Sequence, residues 1–125
     1  MISPSPFMPT FVCHESVNFR LGIDGLIGFC QHVLKIDPFT GACFVFRNRS
    51  GTSMRLLYYV EDGWWLCMKR FSEGRLNFWP QSTETRLSPL AARELSVLLW
   101  KGNPEGAKFP PLWKKITLKN SAPPP

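Results

Sequence analysis

The sequence predicts an α+β domain: an antiparallel meander sheet of four to five strands with two helices packed on one face. Three observations point there. Strand-like segments separated by short turns fill residues 43–80. Apolar residues at helical spacing flank them, at 19–34 and again at 87–102. The chain has 125 residues and is 44% hydrophobic, which suits a single domain with one core.

TFVCHES, residues 10–16, reads as a first strand. In FRLGIDGLIGFCQHVL, the residues Ile23, Leu26, Ile27, Cys30, Val33 and Leu34 recur at helical spacing. Internal glycines weaken that helix in isolation but allow close packing against a sheet. Asp37-Pro38 ends it, because the residue before a proline is steered away from the helical region. ACFVFRN then leads through Ser50-Gly51-Thr52 into SMRLLYYV. Asp62-Gly63 is a two-residue turn signal, followed by WWLCMKRF. Glu73-Gly74 marks another turn, and RLNFWP reads as the last strand. In LSPLAARELSVLLWKG, Ser88 is the expected N-cap, Pro89 the first helical residue, and Gly102 the end.

Proline marks the edges of the domain. Nine of the 12 prolines lie in residues 4–9 or 104–125. We therefore read residues 1–10 as a proline-rich N-terminal extension and 11–102 as the α+β domain. Residues 103–125 read as a Pro/Lys-rich tail, expected to be partly disordered.

The net charge of +6 favours an acidic partner, nucleic acid among them, or else is a solvated basic surface. The apolar runs are too short for a membrane span, and the N-terminus carries no secretory pattern, so a soluble, cytoplasmic protein is expected. Cys13, Cys30, Cys43 and Cys67 show no C-x-x-C spacing, and neither His14 nor His32 completes a zinc pattern. They read as reduced, mostly buried thiols, with no metal and no cofactor expected.

Catalysis finds little support. Asp37 precedes a proline, Glu61, Asp62 and Glu73 belong to turns, and Asp24 and Glu94 fall at helix positions that face solvent. No pair has an acid/base arrangement, and adjacent Cys13-His14 lacks the geometry of a nucleophile and its base. No nucleophile elbow or phosphate loop is present.

The turns predict which residues share a face. With a three-residue loop at 50–52 and two-residue turns at 62–63 and 73–74, Phe44 and Phe46 fall on the side of Leu56, Tyr58 and Val60. The other side collects Arg47, Arg49, Arg55, Arg70 and Arg75 with Tyr59, Trp64, Asn77 and Trp79. Arg47 then lies opposite Arg55, Arg55 opposite Arg70, and Arg70 opposite Asn77. Like charges directly opposed destabilise a sheet, yet such a row suits phosphate, with Tyr59 and Trp79 as stacking partners for bases. The same face also suits a protein interface rich in aromatic residues and arginine, or a wet sheet face.

Several segments carry a family resemblance: GIDGL (22–26), DPFTGACFVFRNRSG (37–51), LLYYVEDG (56–63), KRFSEGRLNFWP (69–80) and LSPLAARELSVLL (87–99). In this order they resemble the TnpB or Orf2-like accessory protein of sixty-six-type bacterial insertion sequences, a family unrelated to the RNA-guided nuclease of the same name. The resemblance covers about residues 11–100. It implies a non-catalytic role in DNA transposition, beside a separate transposase that carries the catalytic acids. It also implies contact with the element's DNA, or with the transposase or a sister accessory protein. Recurring family residues fall on Arg20, Gly22, Asp24, Gly25, Asp37, Pro38, Phe39, Phe46, Arg47, Asn48, Arg49, Gly51, Lys69, Arg70, Gly74, Trp79 and Pro80. The chain departs from the family at Asn18 and Leu21, where an acid and a lysine are usual, and at Ser50, where a basic residue is usual.

Overall fold

A computed structural model describes residues 8–102. The first seven residues of the N-terminal extension and the whole tail from 103 lie outside the described residues.

One sheet of five strands has the order β4-β3-β2-β1-β5. The strands are β1 (Thr10–Cys13), β2 (Cys43–Arg47), β3 (Ser53–Val60), β4 (Gly63–Arg70) and β5 (Leu87–Pro89). The helices are α1 (Ile23–His32) and α2 (Ala92–Leu99). The fold is α+β, as expected, and mostly antiparallel. The exception is β1, which runs parallel to β2. A parallel pair needs a long crossover, and the segment containing α1 supplies it.

Gly22 caps the start of α1 at φ 63, and Asp24 in the first turn suits the positive end of the helix dipole. The helix stops earlier than Asp37-Pro38. Lys35 takes a left-handed conformation at φ 58, and the Ile36 N–H returns to the Cys30 carbonyl at 3.0 Å. Asp37 instead caps a short 3-10 turn, Pro38–Thr40, by accepting the Phe39 N–H at 2.9 Å.

The two helices lie on opposite faces of the sheet, not on one. Leu26, Cys30 and Leu34 of the α1 region pack with Cys13, Phe44, Phe46 and Leu57. Leu95 and Leu98 of α2 pack with Val12, Val45, Met54 and Leu56. A strand covered on both sides must be apolar on both. Accordingly Cys43, Phe44, Val45 and Phe46 are all buried, an unbroken apolar run rather than an alternating one.

Two further expectations change at the C-terminal side. RLNFWP is not a strand. It belongs to the connection from Phe71 to Arg86, which adds Phe71 and Trp79 to the α2-side core. The fifth strand is Leu87–Pro89, antiparallel to β1. Ser88 and Pro89 therefore do not open the helix. Proline is tolerated because β5 is an edge strand, and the Ser88 hydroxyl is held by His14 Nε2. The helix starts three residues later. Ala91 has no side-chain acceptor, so Glu94 alone serves that end, accepting the Ala91 N–H at 2.8 Å.

All four cysteines are thiols, three of them buried. Burial pushes the Cys13 thiol up to about 11, and Cys30 and Cys43 up to about 12. Among the described residues, no helix is long and apolar enough to cross a membrane.

Candidate nucleic-acid interface

The hairpin between β2 and β3 decides where the arginines go. Its loop has four residues, Arg49–Thr52, rather than three. Asn48 organises it. Its side-chain oxygen accepts the backbone N–H groups of Thr52 and Ser53 at 2.9 and 3.1 Å, and its amide donates to the Thr52 hydroxyl at 2.9 Å. Gly51 supplies the left-handed residue at φ 73, with Leu76 packed against it.

The extra loop residue slips the register by one. Arg47 pairs with Met54 and Phe46 with Arg55. Since sides alternate along a strand, a slip of one exchanges faces. Arg47 therefore lies on the α2 side, and Arg55 and Arg70 on the α1 side. The second hairpin turns at Glu61-Asp62, with Val60 opposite Gly63, so Arg55 faces Met68 and Arg70 faces Ser53. The expected row of arginines across four strands does not form.

What forms instead is a notch at one end of the sheet. Arg47, Arg49, Arg75, Asn77, Trp79 and Gln81 line a concavity of about 230 Å³ beside the hairpin tip. Five of the eight predicted residues meet here, drawn from β2, its loop and the connection after β4. Backbone bonds fasten that connection to the tip: the Phe71 N–H donates to the Thr52 carbonyl at 2.9 Å, and the Leu76 N–H to the Gly51 carbonyl at 2.8 Å.

Arg47 is the half-buried centre of this notch. One guanidinium nitrogen donates to the His14 carbonyl at 3.0 Å, and the group lies 5.7 Å from the Trp79 ring centre. Its Nε is buried without a partner, and desolvation lowers its pKa. No carboxylate of the described residues pairs with it. Trp79 is 7% exposed, and its indole N–H donates to the Cys13 carbonyl at 2.8 Å. It is a core residue that supports Arg47, and it offers no open ring for a base.

The remaining predicted residues sit apart. Arg55 rests over the Phe19 ring at 4.4 Å on the α1 side. Arg70 is exposed at the end of the outer strand β4. Tyr59 lies at the far end of β3, roughly 13 Å of strand from Arg55. There it packs edge-on with Phe39 and Trp64, with ring centres 4.9 and 5.0 Å away.

Arg20 is a residue that reasoning from the strands missed. With Arg49, Asn48 and Phe19 it lines a wider cleft of about 730 Å³ on the other flank of the tip. No periodicity signals it, because it lies in the irregular segment before α1; only the family resemblance includes it. Arg86 is nearby but already paired with Glu15 at 3.2 Å.

Comparison with known proteins adds a family. The family model described as IS66 Orf2 like protein matches residues 8–106. The chain is similar to two proteins of Sinorhizobium fredii (strain NBRC 101917 / NGR234), both named as uncharacterized. One, y4jC, is 34% identical over 80 residues, covering 64% of this chain and 68% of that protein. The other, y4hO, is 37% identical over 82 residues, covering 66% of this chain and 70% of that protein. No solved structure matches.

Proposed function

The chain belongs to the IS66 Orf2-like family, accessory proteins of insertion sequences, and we propose that it serves transposition without catalysis, by holding DNA phosphates at the arginine-bearing end of its sheet. The observation that carries this reading is Arg47. It is a partly desolvated cation with an unpartnered Nε and no carboxylate partner among the described residues, in a notch it shares with Arg49 and Arg75. A cation left uncompensated in such a place is poised for an external anion, and guanidinium forks match phosphate oxygens. Arg20 extends the same charge around the tip, so a backbone passing over the hairpin would meet cations on both flanks. No helix of the described residues presents a base-reading surface at this end, so affinity rests on phosphate and depends little on sequence.

The test is a duplex-binding titration at several salt concentrations, with the parent element's ends and with scrambled DNA. Arg49→Ala/Arg75→Ala changes two exposed side chains and should leave the fold intact. It should weaken binding to all sequences alike and lower the salt slope by about 2, roughly one for each phosphate no longer held. Absence of binding at low salt would overturn the reading.

A second reading, an adaptor for the transposase or a sister accessory protein, draws on the opposite end. Phe39 is 49% exposed there, set on Tyr59 and Trp64. A salt-insensitive complex with the transposase, lost in Phe39→Ser, would favour it.

A further inference from the structure

Among the described residues, the outer strand β4 has a neighbour on one side only: it pairs with β3 and with nothing else. It runs for eight residues, Gly63–Arg70, without a proline. Natural sheets blunt such edges with short strands, prolines, bulges or inward charges. Here the one charge ahead of the strand's last residue, Lys69, is drawn off to the Leu99 carbonyl at 2.6 Å. Apolar side chains remain open along the edge: Trp65 is 44% and Met68 59% exposed.

Hairpin geometry sets which backbone groups point outward. Val60 and Gly63 close a two-residue turn as a hydrogen-bonded pair. Alternate residues beyond them, Trp64, Leu66, Met68 and Arg70, therefore direct their N–H and C=O groups away from β3.

We infer that β4 is a homodimer edge, pairing antiparallel with β4 of a second copy about a two-fold axis at Leu66. A two-fold axis perpendicular to the sheet makes each contact occur twice and keeps both faces in line. In this register Leu66 meets Leu66, Trp64 meets Met68, and Asp62 meets Arg70 of the other copy. Charge complementarity selects the second copy as occupant. The turn that leads into the strand is acidic, with Glu61 and Asp62, and the strand's end is basic, with Lys69 and Arg70. An antiparallel copy brings each acidic end to a basic one, and sliding the pairing by two residues breaks the match of Asp62 with Arg70. The result is a continuous ten-stranded sheet with an arginine notch toward each end.

The experiment is sedimentation equilibrium of the full chain over a wide concentration range. The native chain should dimerise. Asp62→Arg and Arg70→Asp, both at exposed positions, should each raise the dimer dissociation constant about tenfold, and the double exchange should restore it. Met68→Pro should abolish the dimer by deleting an outward N–H without touching the β3 ladder. A native chain that stays monomeric overturns the inference, and slow amide exchange along β4 in that monomer would assign the edge to another segment of the same chain. A dimer indifferent to the charge exchange, or not restored by the double exchange, overturns it equally.

Discussion

The two ends of the β2–β3–β4 sheet are built from the same three strands, yet they satisfy their side chains in opposite ways. At the aromatic end, Phe39, Tyr59 and Trp64 meet one another edge-on, with neighbouring ring centres 4.9–5.0 Å apart. The acids there, Glu61 and Asp62, are exposed in the turn beyond them. At the arginine end, Arg47 leans on an indole and a backbone carbonyl, and Arg55 on a phenyl ring. One end is complete in itself, while the other holds positive charge in place without neutralising it. Arginine density alone therefore does not mark an anion site. The proposed anion site is the end whose arginines are supported by rings and carbonyls instead of carboxylates.

Trp79→Ala strikes hardest at this contrast. Trp79 joins the α2-side core to the arginine notch, so its loss should cost about 3–5 kcal/mol in urea unfolding and also free Arg47. A cost near 1 kcal/mol would mean that the notch is not anchored in the core.

Thiol titration separates the two ends more finely. Cys13 lies at the arginine end and Cys43 at the other, opposite Tyr58. Desolvation raises both from their ordinary 9.0, but a backbone hydrogen bond at Glu15, and after it the charges of Arg47 and Arg86, pull Cys13 back, to about 11 against about 12 for Cys43. Above pH 9 the unfolded thiols ionise while the folded ones keep their protons, so stability falls as pH rises. Each thiol contributes up to about 1.4 kcal/mol per pH unit until its folded value is reached. Unfolding midpoints at about pH 10 to 11.5 should therefore flatten more in Cys43→Ala than in Cys13→Ala.

Phe39→Ala should cost about 1 kcal/mol, since its ring contacts are partly solvated. Arg55→Met should change least. Arg55 makes no hydrogen bond to the described residues and its Nε is buried without a partner, so methionine keeps the contact with Phe19 and removes an unsatisfied group. Stability should hold or rise by up to about 1 kcal/mol; a larger loss in urea unfolding would show that the guanidinium is already compensated.

Much of this was legible in the chain. Alternation and turn residues locate β3 and β4, helical spacing locates α1, and the thiols follow from their apolar neighbours. The register was not legible, because it hangs on one loop residue, and the choice between three and four is made by hydrogen bonds of the Asn48 side chain. The one-face arrangement, by contrast, was contradicted in advance by Cys43–Phe46, an apolar run that does not alternate. Trp79 reads as exposed only if RLNFWP is a strand. As a connection, its residues escape the alternation rule. Ser88-Pro89 carries a helix-start signal that tertiary pairing with β1 overrides.

Strand order also bears on how the chain is made. β1 pairs with β2 on one side and with β5 on the other, and β5 lies at residues 87–89. On the ribosome, local hairpins such as β2–β3–β4 close early because their partners are near in sequence. Of the five strands β1 is the first to emerge, and its second partner, β5, is the last. Until β5 emerges it presents a bare edge, and until α2 follows, Val12 on it lacks that helix's cover. The first strand to appear is the last to be enclosed.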